Sequence, residues 1–328
     1  MKQENAATRN ASTKKSKRSD FTLKEKMKRY GNLLPFYLPA MLVAFVFCYL
    51  PMLGLVMAFK EEPQLLGYDS PIRAIFDARF NNFENFKYIF SKPEFLHALG
   101  NTLIISGLKI IVIFPMPIVL AIMLTEIRGK RMARTLEIAM YLPHFLSWIT
   151  IDTIFISLLS PSGLVNNVLY SLGFARREFV TSNDYFRGVV VGLSAWKDIG
   201  WSTITYIAAI TALDPALSEA AQIEGATKMQ RIWYIILPGI SATIAVLFIM
   251  RIGYVMDAGF EQIFILYTPF VQETGDILGT YSYRLIRGAL IPEYRLSSAI
   301  GLFNSCIAMV LILGGNYISR KLFSRGIW

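Results

Sequence analysis

Cysteine and histidine are nearly missing from this chain, at two residues each. Cys48 and Cys306 both sit inside apolar stretches, which excludes a disulfide framework and leaves the redox compartment unread. His97 and His144 fall too far apart in depth to share a site. There is no Gly-x-x-x-x-Gly-Lys-Ser/Thr phosphate loop, so any ATP used must be bound by another chain. Neither a metalloprotease histidine pair nor a nucleophile elbow occurs, so the chain itself is not expected to be an enzyme, and no metal or cofactor is expected on it. Charge is scarce as well. Only 17% of the 328 residues are charged while 54% are hydrophobic, which excludes an ordinary soluble surface.

What charge there is clusters. The formal net charge of +10 suggests a nucleic-acid partner, but the basic residues gather before Tyr30, between Arg128 and Arg134, and around Arg320 to Arg325. Each cluster flanks an apolar run, so membrane topology explains the excess and no nucleic acid is expected. A bilayer-spanning helix takes about 20 residues. Stretches long and apolar enough lie at about Leu33–Phe59, Asn101–Thr125, Thr135–Ser160, Gly188–Leu213, Trp233–Met256 and Leu296–Ile318. The fold class expected is therefore all-α: a polytopic membrane protein with six transmembrane helices, surrounded by lipid. The first span is too long, and lacks the small-residue cleavage site, for a removed signal peptide. Residues 1–30 are expected as a polar, basic tail and residues 31–328 as the transmembrane domain.

Orientation follows from the basic clusters, which favour the cytoplasmic side. Lys14 to Arg29, Arg128 to Arg134 and Arg320 to Arg325 all fall on one side of six spans, so both termini are expected in the cytoplasm. The opposite connections, Lys60–Gly100, Pro161–Arg187 and Asp257–Arg295, carry acidic residues as freely as basic ones. In the first of them Phe80, Phe83, Phe86, Tyr88, Phe90 and Phe95 supply the bulk for short helices packed along the membrane interface.

The most informative segment joins the fourth and fifth spans, from Asp214 to Pro238. Asp214 suits a helix N-cap and Pro215 the first helical position, where a missing N–H costs little. A short helix is expected through Glu219, Ala220 and Ala221. Gly225 can adopt a backbone conformation closed to other residues, letting the chain turn into a second helix at Ala226. Small residues permit close approach of another protein, and Glu219 offers it a charge.

Glu219-Ala220-Ala221, Gly225-Ala226, Ile235 and Leu237-Pro238 together resemble the EAA loop of binding-protein-dependent ABC permeases, at that family's spacing and topological position. Glu224 stands where the family usually has aspartate and Ile232 where phenylalanine is common, changes that keep charge and apolar bulk. Tyr49-Leu-Pro-Met-Leu-Gly-Leu, Asn82-Phe-Glu-Asn-Phe, Asn101-Thr-Leu-Ile-Ile-Ser, Tyr141-Leu-Pro-His-Phe, Phe260-Glu-Gln-Ile-Phe and the Gly-Ile-Trp328 ending are similar to the carbohydrate-uptake branch, in particular its polysaccharide and complex-oligosaccharide permeases. The resemblance covers nearly everything after Lys26. It implies a MetI-like importer fold in a bacterial inner membrane and sugar import by alternating access. It also implies three partners: a second, homologous permease subunit, an ATPase subunit dimer that carries ATP and Mg, and an extracytoplasmic sugar-binding protein. The coupling residues implied are Glu219, Ala220, Ala221, Glu224, Gly225, Ala226 and Pro238. A permease for a non-sugar solute is the alternative within the family, and an ion-coupled secondary transporter the alternative outside it.

Ionisable residues inside spans are costly and usually face a protein interior or an aqueous cavity. Lys109, Asp152, Lys197, Asp198 and Arg251 are such residues, all about 10–17 Å deep at 1.5 Å per helical residue. Trp148, Trp196, Trp201, Tyr206 and Tyr254 fall near the same depth, and aromatic faces beside hydrogen-bonding groups suit sugar rings. Asp257 and Glu261 extend this candidate substrate path outward. Equally, the charges can pair with one another and fix helix packing. Trp196 and Trp201 are five apart, about 140° around a helix, so they are not expected to share a face. Pro115, Pro117 and Pro143 permit kinks, and Gly192, Gly200, Gly253 and Gly301 allow close helix contacts.

Overall fold

The computed structural model describes residues 34–61, 70–288, 290 and 292–323. Among these residues all regular structure is helical apart from one antiparallel bridge, Lys60 to Phe80. The chain divides into two compact units, Met1–Gly54 and Leu55–Trp328. The basic tail, the boundary near residue 30, Asp69 and the Gly-Ile-Trp328 ending lie outside the described residues.

In the first unit α1, Leu34–Ala44, passes into a π turn at Phe45–Tyr49. Pro51 has no N–H to offer the preceding turn, and the Leu50 N–H reaches back to the Phe45 carbonyl. A 3-10 helix of ten residues, Leu50–Phe59, then completes the apolar stretch Pro35–Phe59.

The second unit opens with two short helices, α2 (Pro71–Asp77) and α3 (Glu84–Ser91), and α3 carries Phe86, Tyr88 and Phe90 of the aromatic bulk expected to form such helices. Asn85 is buried and donates to the carbonyls of Ala58 at 3.0 Å and Lys60 at 2.8 Å. Phe59 packs against Phe83 and Phe86 with centroids 5.2 and 5.5 Å away.

The second span begins earlier than Asn101: α4 (Pro93–Ile113) and α5 (Pro115–Thr125) form one apolar stretch, Pro93–Thr125. The third span departs further from expectation. Thr135–Ser160 is not continuous but consists of α6 (Lys130–Tyr141), a 3-10 turn Leu142–Phe145 and α7 (Trp148–Leu159). Pro143 ends the first helix and Ser147 restarts the second, accepting the Thr150 N–H at 3.2 Å. Helix α8 (Leu164–Ser171) follows, and the membrane-length apolar stretch is Trp148–Ser171.

Helix α9, Asn183–Thr211, has 29 residues, about 43 Å at 1.5 Å per residue. It is long enough to cross a bilayer although Lys197 and Asp198 keep it out of the four helices that qualify by hydropathy. After α10 (Pro215–Ile223) come α11 (Lys228–Arg231), a π turn Ile232–Ile236, α12 (Leu237–Gly239) and α13 (Ser241–Gly253). The expected continuous span Trp233–Met256 is instead bent by 64° between Gly239 and Ser241, directly after Pro238. Helices α14 (Phe260–Leu266), α15 (Gln272–Gly275) and α16 (Leu278–Arg287) precede the last span, α17 (Tyr294–Phe323).

The Asp257–Arg295 connection is thus no loose outer loop. Ile263, Leu266, Val271, Ile277 and Leu278 are all buried, and the first four join Ile105 of α4 and Phe186, Val190 and Leu193 of α9 in one cluster. A second cluster joins α3, α4, α16 and α17, and a third joins Ala121, Tyr206, Ile240 and Ile244 of α5, α9 and α13. Close helix contact is real at Gly200, where an added Cβ would stand 1.9 Å from the Met140 carbonyl oxygen, and at Gly253 against Ile312. It does not hold at Gly192 or Gly301, which have nothing within 4 Å of such a Cβ.

Candidate functional site

Two assemblies stand out, one at each end of α13. At the first, α10 forms as its residues dictate: the Asp214 carboxylate accepts the Ala216 N–H at 2.9 Å with Pro215 next to it. Gly225 has φ +83° and open space around it, so the turn rests on backbone freedom and not on crowding. Thr227 and Gln230 form a capping box that starts α11. Glu219, Ala220 and Glu224 are exposed, Ala221 and Ala226 are half-buried, and Pro238 is exposed near the bend. Leu217, Ile223, Met229, Trp233 and Tyr234 are exposed too, an apolar face uncovered in the isolated chain.

Arg231, which sequence reasoning passed over, ties this hairpin to the bundle. It donates to Ser218 Oγ of α10 at 2.8 Å and lies 3.6 Å from Glu126, just past α5. Lys228 reaches the same carboxylate at 3.4 Å.

The second assembly is a cavity of about 210 Å³ where the turn after α13 meets α4 and α9. Lys109, Asp198, Arg251, Tyr254 and Asp257 line it, with Trp148. Lys109 Nζ donates to the carbonyl of Ala258 at 3.0 Å and to Gln262 Oε1 at 2.9 Å. Gln262, fully buried, also accepts from Ser194 Oγ at 2.7 Å and donates to the Val190 carbonyl at 3.0 Å. One amide thus joins α14 to α4 and α9. Ser106 donates to the Val255 carbonyl and holds the turn itself.

The other residues expected along the path lie elsewhere. Lys197 is buried and donates to the carbonyls of His144, at 3.0 Å, and Leu146, with its ammonium 5.2 Å from the Trp148 ring centre. It caps the break made by Pro143. Tyr206 is buried in the α5–α9–α13 cluster. Trp201 stacks on His144 at 4.6 Å, whereas Trp196 meets Phe155 edge-on at 5.3 Å, so the two do point in different directions. Asp152 is fully buried with neither carboxylate oxygen hydrogen-bonded among the described residues, within electrostatic reach of Lys109, Lys197 and Glu261. Glu261 is exposed. The single charged layer is therefore two groups, one facing the cavity and one fastening α9 to the broken third span.

Beyond these, Asn101 donates to the carbonyls of Glu273 and Asp276 at 3.0 Å and accepts from Arg187 at 2.7 Å. Asp276 in turn pairs with Arg284 at 2.7 Å. These bonds fasten α15 and α16 to the beginning of α4 and α9.

Residues 113–325 match the family model described as the binding-protein-dependent transport system inner membrane component. The chain belongs to this family. It is 35% identical over 303 residues to protein LplB of Bacillus subtilis strain 168, with 92% of each chain covered. It is 33% identical over 316 residues to the polygalacturonan/rhamnogalacturonan transport system permease protein YteP of the same organism, covering 96% of this chain and 95% of YteP. Its fold matches a chain in the crystal structure of a bacterial ABC transporter involved in the import of the acidic polysaccharide alginate, with a TM-score of 0.82 and 38% identity, covering 92% of this chain and 99% of that one. A bacterial alginate ABC transporter in complex with alginate pentasaccharide-bound periplasmic protein matches with a TM-score of 0.83. The permease is a multi-pass membrane protein, and the MetI-like fold implied by its sequence is the fold it has.

Proposed function

We propose that this permease is one transmembrane subunit of an ATP-driven importer that carries oligosaccharides or polysaccharide fragments from an extracytoplasmic binding protein to the cytoplasm. The observation that carries the reading is the hairpin Asp214–Pro238, capped, turned on Gly225 and fixed to α5 by Arg231, while Glu219 and a face of apolar side chains stay open to a partner. That partner is an ATPase dimer, which binds ATP and Mg, and a second homologous permease completes the pathway. Both termini lie in the cytoplasm, as the basic clusters require.

When the ATPase subunits close, the hairpins of the two permeases are drawn together. The bend between Gly239 and Ser241 carries that movement into α13, whose far end holds Arg251 and the turn at Tyr254–Gly259. Movement at the hairpin thus changes the cavity, as alternating access needs. The saccharide relatives support the cargo, and Tyr254 and Trp148 supply aromatic faces beside polar groups.

Cysteine placed at Ala221 tests the partner. In membranes holding the whole importer it should cross-link to the ATPase subunit, at a yield that changes on adding ATP with vanadate. Cross-linking only to lipid-facing or extracytoplasmic proteins would remove the hairpin from this role.

A further inference from the structure

Glu126 stands where its own helix does not favour it. It is the C-cap of α5, its N–H bonded to the Ile122 carbonyl at 3.2 Å, so its carboxylate sits at the negative end of that helix. Lys228, which it meets at 3.4 Å, is the first residue of α11, a cation at a positive end. Both signs are wrong for their own helices and right for each other. Arg231, at 3.6 Å, carries most of the contact, because its side chain is only 11% exposed while that of Lys228 is 72% exposed and screened by water. Through its bond to Ser218 Oγ, Arg231 also joins α10, so one carboxylate at the end of α5 holds both helices of the hairpin.

Helix α5 meets the same limb of the chain a second time. Ala121 shares a buried cluster with Ile240 and Ile244, at and beyond the 64° bend, while the ion pair holds the hairpin before it. A bend fastened on both sides to one helix cannot open or close freely. Without such a brace, a pull on the hairpin would be absorbed by flexing between Gly239 and Ser241. With it, the compliance must lie elsewhere, and the stretch α4–α5 has a place for it. Pro115 and Pro117 lack the N–H groups that would have bonded to the carbonyls of Ile111 and Ile113. On one side of that break α4 is fixed to α14–α16 through Lys109 and Asn101, and on the other α5 is fixed to the hairpin. We infer that Glu126 is a positioning residue for coupling: a strut that makes the hairpin, α5 and the base of α13 move as one body about a hinge at Phe114–Pro115. This inference rests on the importer reading above and adds a second route from hairpin to cavity, since α4 supplies Lys109 to the cavity wall and α13 supplies Arg251.

The test uses the complete importer in lipid nanodiscs, with this chain, its partner permease, the ATPase dimer and the binding protein. Spin labels are placed at Leu103 of α4 and Met123 of α5, both exposed, with Cys48→Ala and Cys306→Ala removing the free thiols. On a straight helix the two positions stand about 30 Å apart, a distance that double electron–electron resonance reads. Wild type should shift this distance when ATP with vanadate is added. Glu126→Gln should lose the shift, although the Ala221 cross-link to the ATPase still responds to ATP. Exchanging the charges, Glu126→Arg with Arg231→Glu, again sets one acid between two cations and should restore the shift. A full shift in Glu126→Gln overturns the strut, and an exchanged pair that stays without a shift overturns the ion pair as its cause. Wild type without a shift, while its Ala221 cross-link does respond to ATP, overturns the hinge and leaves the importer intact; this comparison needs no altered charge to fold. A cross-link that ignores ATP in wild type refutes the importer reading itself, and the strut with it.

Discussion

Replacing Gln262 with leucine removes the amide that hydrogen-bonds α14 to both α4 and α9. Three hydrogen bonds disappear: from Lys109 at 2.9 Å, from Ser194 at 2.7 Å and to the Val190 carbonyl at 3.0 Å. Two of the stranded groups can rescue each other, because Ser194 lies one helical turn after Val190 and its hydroxyl can turn to that carbonyl. The unrecovered loss falls on the Lys109 ammonium, which keeps only the Ala258 carbonyl. A hydrogen bond to a charged group is worth about 1.5–3 kcal/mol, so Gln262→Leu should destabilise by about 1.5–3 kcal/mol. Gln262→Glu, which keeps an acceptor opposite the ammonium, should lose less. Unfolding in mixed micelles by detergent titration measures both, and Lys109→Met combined with Gln262→Leu should show a coupling of about 0.5–3 kcal/mol. A leucine variant within about 0.5 kcal/mol of wild type would mean that apolar packing alone docks α14, and the polar hub has been misread.

At the hairpin, Gly225→Trp should insert normally yet hydrolyse ATP without driving uptake; because nothing crowds Gly225, the fault lies in a forced φ of +83° and a blocked docking face. Normal sugar-stimulated uptake by that variant would sink the coupling assignment. Trp201→Ala should cost membrane-protein yield through its lost stack on His144, with little effect on sugar concentration dependence, and Trp196→Ala should behave likewise; a selective loss of sugar affinity in either would put the path on that face of α9. Cysteine labelling should reach Lys130 and Met229 only from the cytoplasm and Gln272 only from outside, and outside labelling at Met229 would invert the topology.

The hairpin was legible because its determinants are local. Asp214, Pro215, Gly225 and Thr227 act on the backbone within four residues of themselves, and each does in the structure what its chemistry dictates. Hydropathy found the apolar spans but blurred their breaks, since Pro143 lies in an otherwise apolar run and only Ser147, a cap, marks the restart. The packing of α14 to α16 was not legible. It depends on Gln262 and Asn101, single polar residues whose partners are far away in sequence, and no periodicity records such pairs. Their signal was an uncharged amide inside an apolar segment, which burial obliges to find a partner. Likewise Lys197 and Arg251 looked equivalent as charges within spans, yet one caps a broken helix and the other faces open space.

The proposed function requires that sugar cross through this chain, driven by ATP hydrolysed on other subunits. Uptake of labelled saccharide into proteoliposomes containing the four components, with the binding protein outside and the ATP supply inside, measures it directly. Uptake should require ATP and the binding protein and persist when proton and sodium gradients are collapsed. Uptake that runs down an imposed ion gradient without ATP would contradict it.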